Sequence, residues 1–326
     1  MKRFCVVVLT VFLVLAVGGM AFAAKKEKPP KNNIVVDVNG TGDFTDITSA
    51  LYSITDNAVN NVYQVQVLPG TYVLNGPIRH TRDYVNIVGS GIGVTVLHFV
   101  GATNGYEGAV NLTATEISIS NLSILYDSPV MNGGQMVGLM AASTPSDHVV
   151  YVSDVEIDVV NTGATGFAGG IYVGYGSSAV IQNVNIDAQS TPGTMRDDFG
   201  VKFDTYDYWG VANLTVDNCN INVVGSKAKG IMVNEWNSSN IMETDEIVIT
   251  NNNVSASGGV EGIGFYWTGG LLDNVSTNLF SGNTFSVSVQ QANGTTISDS
   301  TLIGAVKNDD ADLVLVNCVD GAGNPI

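Results

Sequence analysis

The densest ionisable cluster of this 326-residue chain is Arg196-Asp-Asp-Phe-Gly-Val-Lys-Phe-Asp204, and its residue types offer three kinds of chemistry. Asp197, Asp198 and Asp204 could act together as oxygen ligands for Ca²⁺, a hard cation that takes several carboxylates. Asp198 and Asp204 could divide general acid and general base work, with Lys202 favouring the charged form of one of them. One carboxylate could instead be a nucleophile held by that cation. A plain ion-paired surface cluster would need none of these roles, so the cofactor expectation is either none or Ca²⁺.

A second set lies downstream. Trp209, Trp236 and Trp267 are all the tryptophans of the chain, and Asn234, Glu235 and, further upstream, Tyr172 share their neighbourhood in the pattern described below. Ring faces interleaved with carboxylates and amides suit a sugar-binding groove, because pyranose C–H faces pack on rings while hydroxyls take hydrogen bonds. The alternative is that the rings only cover long turns. Apolar covering does not explain why Asp204, Asn234 and Glu235 adjoin them.

These residues can share one surface only if the backbone repeats. A glycine followed by alternating apolar residues recurs at Gly108, Gly138, Gly170, Gly200, Gly230 and Gly262, at intervals of 30, 32, 30, 30 and 32 residues. A second series, Asn121, Asp154, Asn183, Asn218, Asn251 and then Gly282, follows each glycine by 13 to 21 residues. Two phased series with short β-rich segments point to a parallel β-helix, one coil per repeat. The register predicts that Ile171, Val201, Ile231 and Ile263 stack inside, as do Val173, Phe203, Val233 and Phe265. Alternation then sends two ladders outward: Tyr172, Lys202, Met232, Gly264, and Gly174, Asp204, Asn234, Tyr266. The Asn and Asp series is expected to form a polar ladder inside the bend.

Residues 34–100 open the repeat. Phe44, Ile47, Ala50, Leu51 and Ile54 have helical spacing and predict a short helix that covers the N-terminal edge. In this region Val36-Asp-Val-Asn-Gly-Thr-Gly-Asp-Phe-Thr-Asp-Ile-Thr-Ser-Ala-Leu51, Val67-Leu-Pro-Gly-Thr-Tyr72 and Val85-Asn-Ile-Val-Gly-Ser-Gly91 resemble the opening coils of pectinesterases, within the pectin-lyase-like superfamily. The resemblance implies a right-handed parallel β-helix. It does not carry the pectinesterase machinery with it: the family's Gln-Asp-Thr and Leu-Gly-Arg-Pro-Trp motifs have no match. Its Asp-Phe-Ile-Phe-Gly motif falls in one register on Gly170-Ile-Tyr-Val-Gly, without the aspartate, and in another on Asp198-Phe-Gly-Val-Lys-Phe, with Asp198 at the nucleophile's place. The pair Asp197-Asp198 also resembles the Asp-Asp stretch of polygalacturonases, but His80, His98 and His148 all lie upstream of it.

Composition bounds the partners. Residues 1–23 carry Lys2 and Arg3, an apolar run and Ala21-Phe22-Ala23, the order of a cleaved signal peptide, so a secreted, periplasmic or cell-surface location is expected. Residues 24–33 read as a flexible leader and residues 34–326 as the β-helix domain. From residue 32 on, seven Lys and Arg face 29 carboxylates, which disfavours nucleic acid and anionic membrane as partners. No later segment predicts a membrane span. Cys219 and Cys318 lie about four coils apart, roughly 19 Å at the inter-strand spacing, so neither staples the fold to the other.

The sequence therefore predicts an all-β chain, a single-stranded right-handed parallel β-helix of nine to eleven coils with a short N-terminal capping helix, expected to be a monomer. Its function is read as binding a polysaccharide or other glycan along the aromatic and acidic groove. A polysaccharide lyase, hydrolase or esterase centred on Asp198, Lys202 and Asp204, and a structural matrix protein, are the alternatives.

Overall fold

The computed structural model describes residues 32–103, 107–127, 135–142, 148–163, 166–191, 197–205, 211–235, 246–268, 274–290, 295–309 and 313–326. Each strand pairs in parallel with strands one coil away, and together they form a right-handed parallel β-helix. One inward ladder runs Ile34, Val65, Ile87, Ile119, Val152, Ile181, Val216, Ile249, Val275, Ile297, Leu315, one residue for each of eleven coils. Every member between the two ends is buried. Full burial of a Val or Ile side chain stabilises by about 1.5–3 kcal/mol, so the stack itself is a principal source of stability.

The glycine series has a steric cause. A Cβ at Gly170 would sit 2.4 Å from Ile186 Cγ2, and one at Gly200 would sit 2.1 Å from Ile221 Cγ2. The backbone there runs against side chains of the opposite wall, and only glycine fits. At Gly230 the same contact is with Val254, and the next coil meets it at the Gly264 carbonyl, not at Gly262. The register slips in the strand Asn253–Thr268, where Gly225 pairs with Gly258 but Lys227 pairs with Glu261. As a result Ile171, Val201 and Ile231 stack as expected, while the fourth place belongs to Phe265 and not Ile263. Likewise Val233 pairs with Trp267, not with Phe265. Gly262-Ile-Gly264-Phe offers two glycines of the same parity, and alternation alone cannot choose between them.

The second series also has a backbone cause. Asn121, Asp154, Asn183, Asn218 and Asn251 all have φ between 53° and 58°, the left-handed region that Asn and Asp tolerate better than other side-chain-bearing residues. The series continues through Thr277, Asp299 and Asn317 and not through Gly282. The expected ladder exists, but these side chains run along the outside of the bend, where Asn218 Nδ2 donates to Asn183 Oδ1 at 2.7 Å and Asn183 Nδ2 to Asp154 Oδ1 at 3.2 Å. The position inside the bend is the next residue: Leu122, Val155, Val184, Cys219, Asn252, Asn278, Ser300, Cys318, all buried. Both cysteines are free thiols, and burial pushes the Cys219 thiol up to about 12.

The helix spans Ile47–Ser53 and buries Ile47, Ala50 and Leu51 against the first coils, with Asp46 Oδ1 accepting from Ser49 N at 2.7 Å as its N-cap. The first strand starts at Asn32, two residues inside the expected leader. The expected signal peptide lies outside the described residues. Among those described, no helix is long and apolar enough to cross a membrane.

Candidate functional site

One outward ladder crosses seven strands: Arg79, Asn111, Met140, Tyr172, Lys202, Met232, Tyr266. It alternates with inward residues such as Ile171, Val173, Val201 and Phe203, which are fully buried and fix the direction of their neighbours. Two residues on, a parallel ladder carries Ala142, Gly174, Asp204, Asn234 and Thr268. The corrected register therefore puts Tyr266 beside Met232 and Thr268 beside Asn234, so Tyr266 sits two residues from where the spacing had placed it.

Lys202, Asp204 and Asn234 bond one another across two coils. Lys202 Nζ lies 2.8 Å from Asp204 Oδ2, and Asn234 Nδ2 donates to Asp204 Oδ1 at 2.7 Å. Both carboxylate oxygens are thus engaged. The Lys202 ammonium also stands 5.5 Å from the centroid of the Tyr172 ring, within cation–π range. Upstream, Phe167 and Phe199 pack at 5.7 Å between centroids, and Phe199 lies 6.5 Å from Tyr172. Gly169 makes room for this: a Cβ there would lie 2.4 Å from the Phe199 ring. The outward face thus carries an apolar aromatic shoulder, a half-buried tyrosine, and a bonded ammonium, carboxylate and amide.

Beside them is a second charged group that sequence reasoning missed. Lys229 Nζ is 2.8 Å from Glu261 Oε2, 3.5 Å from Asp197 Oδ1 and 4.8 Å from the Tyr266 ring centroid, and its side chain is only 4% exposed. The signal was present in Lys227-Ala-Lys229, whose alternation predicts two outward lysines. It could not be paired with Glu261 without the register slip.

The proposed catalytic trio does not assemble. Asp198 turns into the coil and is 0% exposed, with Oδ1 accepting from Ala168 N at 2.9 Å and Oδ2 from Ser226 N at 3.2 Å. Gly225 leaves the space it fills, since a Cβ there would lie within 2.0 Å of Asp198 Oδ2. Burial raises the Asp198 carboxyl above the usual carboxylate range, against the lowering effect of those amides. Asp198 and Asp204 have the same parity, yet the close pass at Gly200 turns two consecutive residues, Gly200 and Val201, toward the interior, and this places the two carboxylates on opposite sides of the wall. The suggested Ca²⁺ set fails for the same reason: Asp197 faces Lys229, Asp198 faces inward and Asp204 faces Lys202. No group of three potential metal ligands occurs among the described residues.

Trp267 is also corrected. It is 0% exposed, stacked in the interior on Val233, with its ring 6.4 Å from that of Phe265. It shares the inward parity of Phe265 on a strand that runs on to Thr268, so it cannot serve a surface platform. Tyr172 and Asn234 stand on the outward face as expected, Asn234 almost wholly buried there. Glu235 continues the strand, paired with Thr205. Arg196, Trp209 and Trp236 lie outside the described residues.

No family model and no curated protein matches the chain. Among solved structures, a pectin methylesterase from Erwinia chrysanthemi shares 12% identity over 92% of this chain and 91% of its own, with a TM-score of 0.45. A pectin methylesterase in complex with a hexasaccharide shares 12% identity over 72% of this chain and 83% of its own, TM-score 0.39. A mannuronan C-5 epimerase module from Azotobacter vinelandii shares 16% identity over 84% of this chain and 88% of its own, TM-score 0.38. The strand register establishes the parallel coil of this chain on its own.

Proposed function

We propose that the protein is an exported carbohydrate-binding β-helix whose recognition surface is the outward strip around Tyr172, Lys202, Asp204 and Asn234. The observation that carries this reading is the Lys202–Asp204–Asn234 network, whose members bond one another beside a half-buried tyrosine ring. Charged and amide groups held side by side at fixed spacing suit hydroxyl-rich ligands, and the ring supplies the apolar contact that a pyranose face needs. An extended polymer also suits a surface that repeats at about 4.8 Å per coil. Export rests on the order of charges and apolar residues in positions 1–23.

Catalysis is left out of the proposal. The carboxylate best placed by motif, Asp198, is inside the coil, and the outward one, Asp204, has both oxygens bonded. An array of neutral and acidic polysaccharides, probed with and without Ca²⁺, tests the reading. The wild type should hold at least one glycan. Tyr172→Ala should weaken that binding by about 1–3 kcal/mol, as for loss of an aromatic anchor, and failure of the wild type to hold any glycan would sink the proposal.

A further inference from the structure

The outward ladder continues past Tyr172 to Met140, Asn111 and Arg79, and there it borders a cavity of about 160 Å³. Arg79, Thr81, Glu107, Asn111, Thr113 and Met140 line it, with Ala142 beside them. None of these residues belongs to the Lys202–Asp204–Asn234 network. Drug-sized ligands occupy pockets of roughly 300–1,000 Å³, so this one has room for about a single sugar ring.

Its lining divides by chemistry. Met140, Ala142 and the threonine methyls offer apolar contact. Asn111 is buried and its amide is consumed locally, accepting from Gly108 N and donating to Gly108 O, both at 2.9 Å. It shapes the cavity without binding. The polar group left at the water-accessible rim is the Arg79–Glu107 pair, with side chains 51% and 27% exposed. Nε and Nη2 of Arg79 both meet the same Glu107 oxygen, Oε1, at 2.9 and 2.7 Å. The remaining guanidinium N–H groups and Oε2 take no part in that contact. A vicinal diol answers such a pair, because each hydroxyl can accept from the guanidinium and donate to the carboxylate. The two charges cancel and no further cation among the described residues lines the cavity, so a neutral sugar fits better than a uronate.

We propose that this cavity is a second recognition site on the strip, taking one neutral pyranose unit through a vicinal diol held by Arg79 and Glu107. It rests on the reading of the strip as a glycan surface and extends it. Met140 stands two coils, about 10 Å, from Lys202, so one extended glycan would engage the cavity and the Tyr172–Lys202 region together.

Methionine methyl groups report the two places separately. In full-length protein labelled with ¹³C at the methionine methyls, the Met140 signal marks the cavity and the Met232 signal marks the strip, each assigned with its Met→Leu variant. The probes are the methyl glycosides of glucose, galactose and mannose, then methyl galacturonide, then oligosaccharides of the glycan selected by the array. A neutral glycoside should move Met140 saturably without moving Met232, and the oligosaccharide should move both. Arg79→Ala and Glu107→Gln should each weaken the monosaccharide response about tenfold, and Asp204→Asn should leave it unchanged. The cavity proposal is overturned if no neutral glycoside moves Met140, if only the galacturonide does, or if the response survives both variants. With the oligosaccharide, a Met232 response without Met140 overturns the cavity and keeps the strip; Met140 without Met232 keeps the cavity and overturns the strip.

Discussion

Besides the Asn and Asp row along the outside of the bend, polar side chains line up inside the bend and on the outward strip, and these two sets are bonded in different ways. Inside, Asn252 Oδ1 accepts from Cys219 N at 2.9 Å, and its Nδ2 donates to Val216 O at 2.9 Å and to Asn278 Oδ1 at 3.0 Å. Asn278 repeats the pattern, with Nδ2 on Ile249 O at 2.8 Å and Oδ1 accepting from Asn252 N at 3.0 Å. Each amide there satisfies backbone groups that water cannot reach, so the ladder is part of the fold. On the strip, Lys202, Asp204 and Asn234 satisfy one another. A polar residue that closes a neighbouring coil's backbone holds the fold directly; the three residues of the strip hold one another.

Substitutions on the inward side should have the largest effects. Trp267→Ala should lower stability by about 3–5 kcal/mol, the cost of an emptied aromatic site in a core; a surface ring would leave the melting temperature unchanged. Asn278→Leu should cost about 2–4 kcal/mol, because the Asn252 N–H and the Ile249 carbonyl both lose a buried partner. Denaturant unfolding of each variant checks these values. An Asn278→Leu variant as stable as the wild type would show that the inner ladder is not structural.

A third inward group makes stability depend on pH. His80 is fully buried, with Nε2 2.8 Å from Val85 O, and burial lowers its pKa from 6.5 to about 4. The unfolded ring binds a proton that the folded one refuses. Stability from His80 is therefore complete above pH 6.5 and is lost as pH falls through about 4, by roughly 3 kcal/mol over that window. Unfolding free energies measured from pH 7 to pH 4 should show this slope in the wild type and lack it in His80→Gln. Equal slopes would show that the ring titrates normally.

The coil was legible in the sequence because its glycines and its Asn and Asp residues answer local demands that recur with every turn: a close pass at Gly170 and Gly200, a positive φ at Asn183 and Asn218. The site was legible only where strict alternation held. Tyr172, Lys202, Asp204 and Asn234 are reached by counting from Gly170, Gly200 and Gly230, and all four face outward. Asp198 lies on the other side of the Gly200 turn, where counting by two gives the wrong face. Trp267 shares the inward parity of Phe265, and what hid its place was the length of a strand that runs on to Thr268. The Arg79–Glu107 cavity joins residues on three coils, so no local pattern announced it.

If the strip is a glycan surface, it should be dispensable for folding and required for glycan binding. The triple variant Lys202→Met, Asp204→Leu, Asn234→Leu replaces the whole network with apolar side chains of similar size, a change that is often neutral or stabilising when no partner is left unpaired. Thermal melting of wild type and variant, each with and without the glycan selected by the array, reads both properties at once. Melting temperatures should be equal without glycan, with a ligand-induced rise in the wild type alone. A variant that unfolds many degrees early, or that is stabilised by the glycan as much as the wild type, would contradict that reading of the strip.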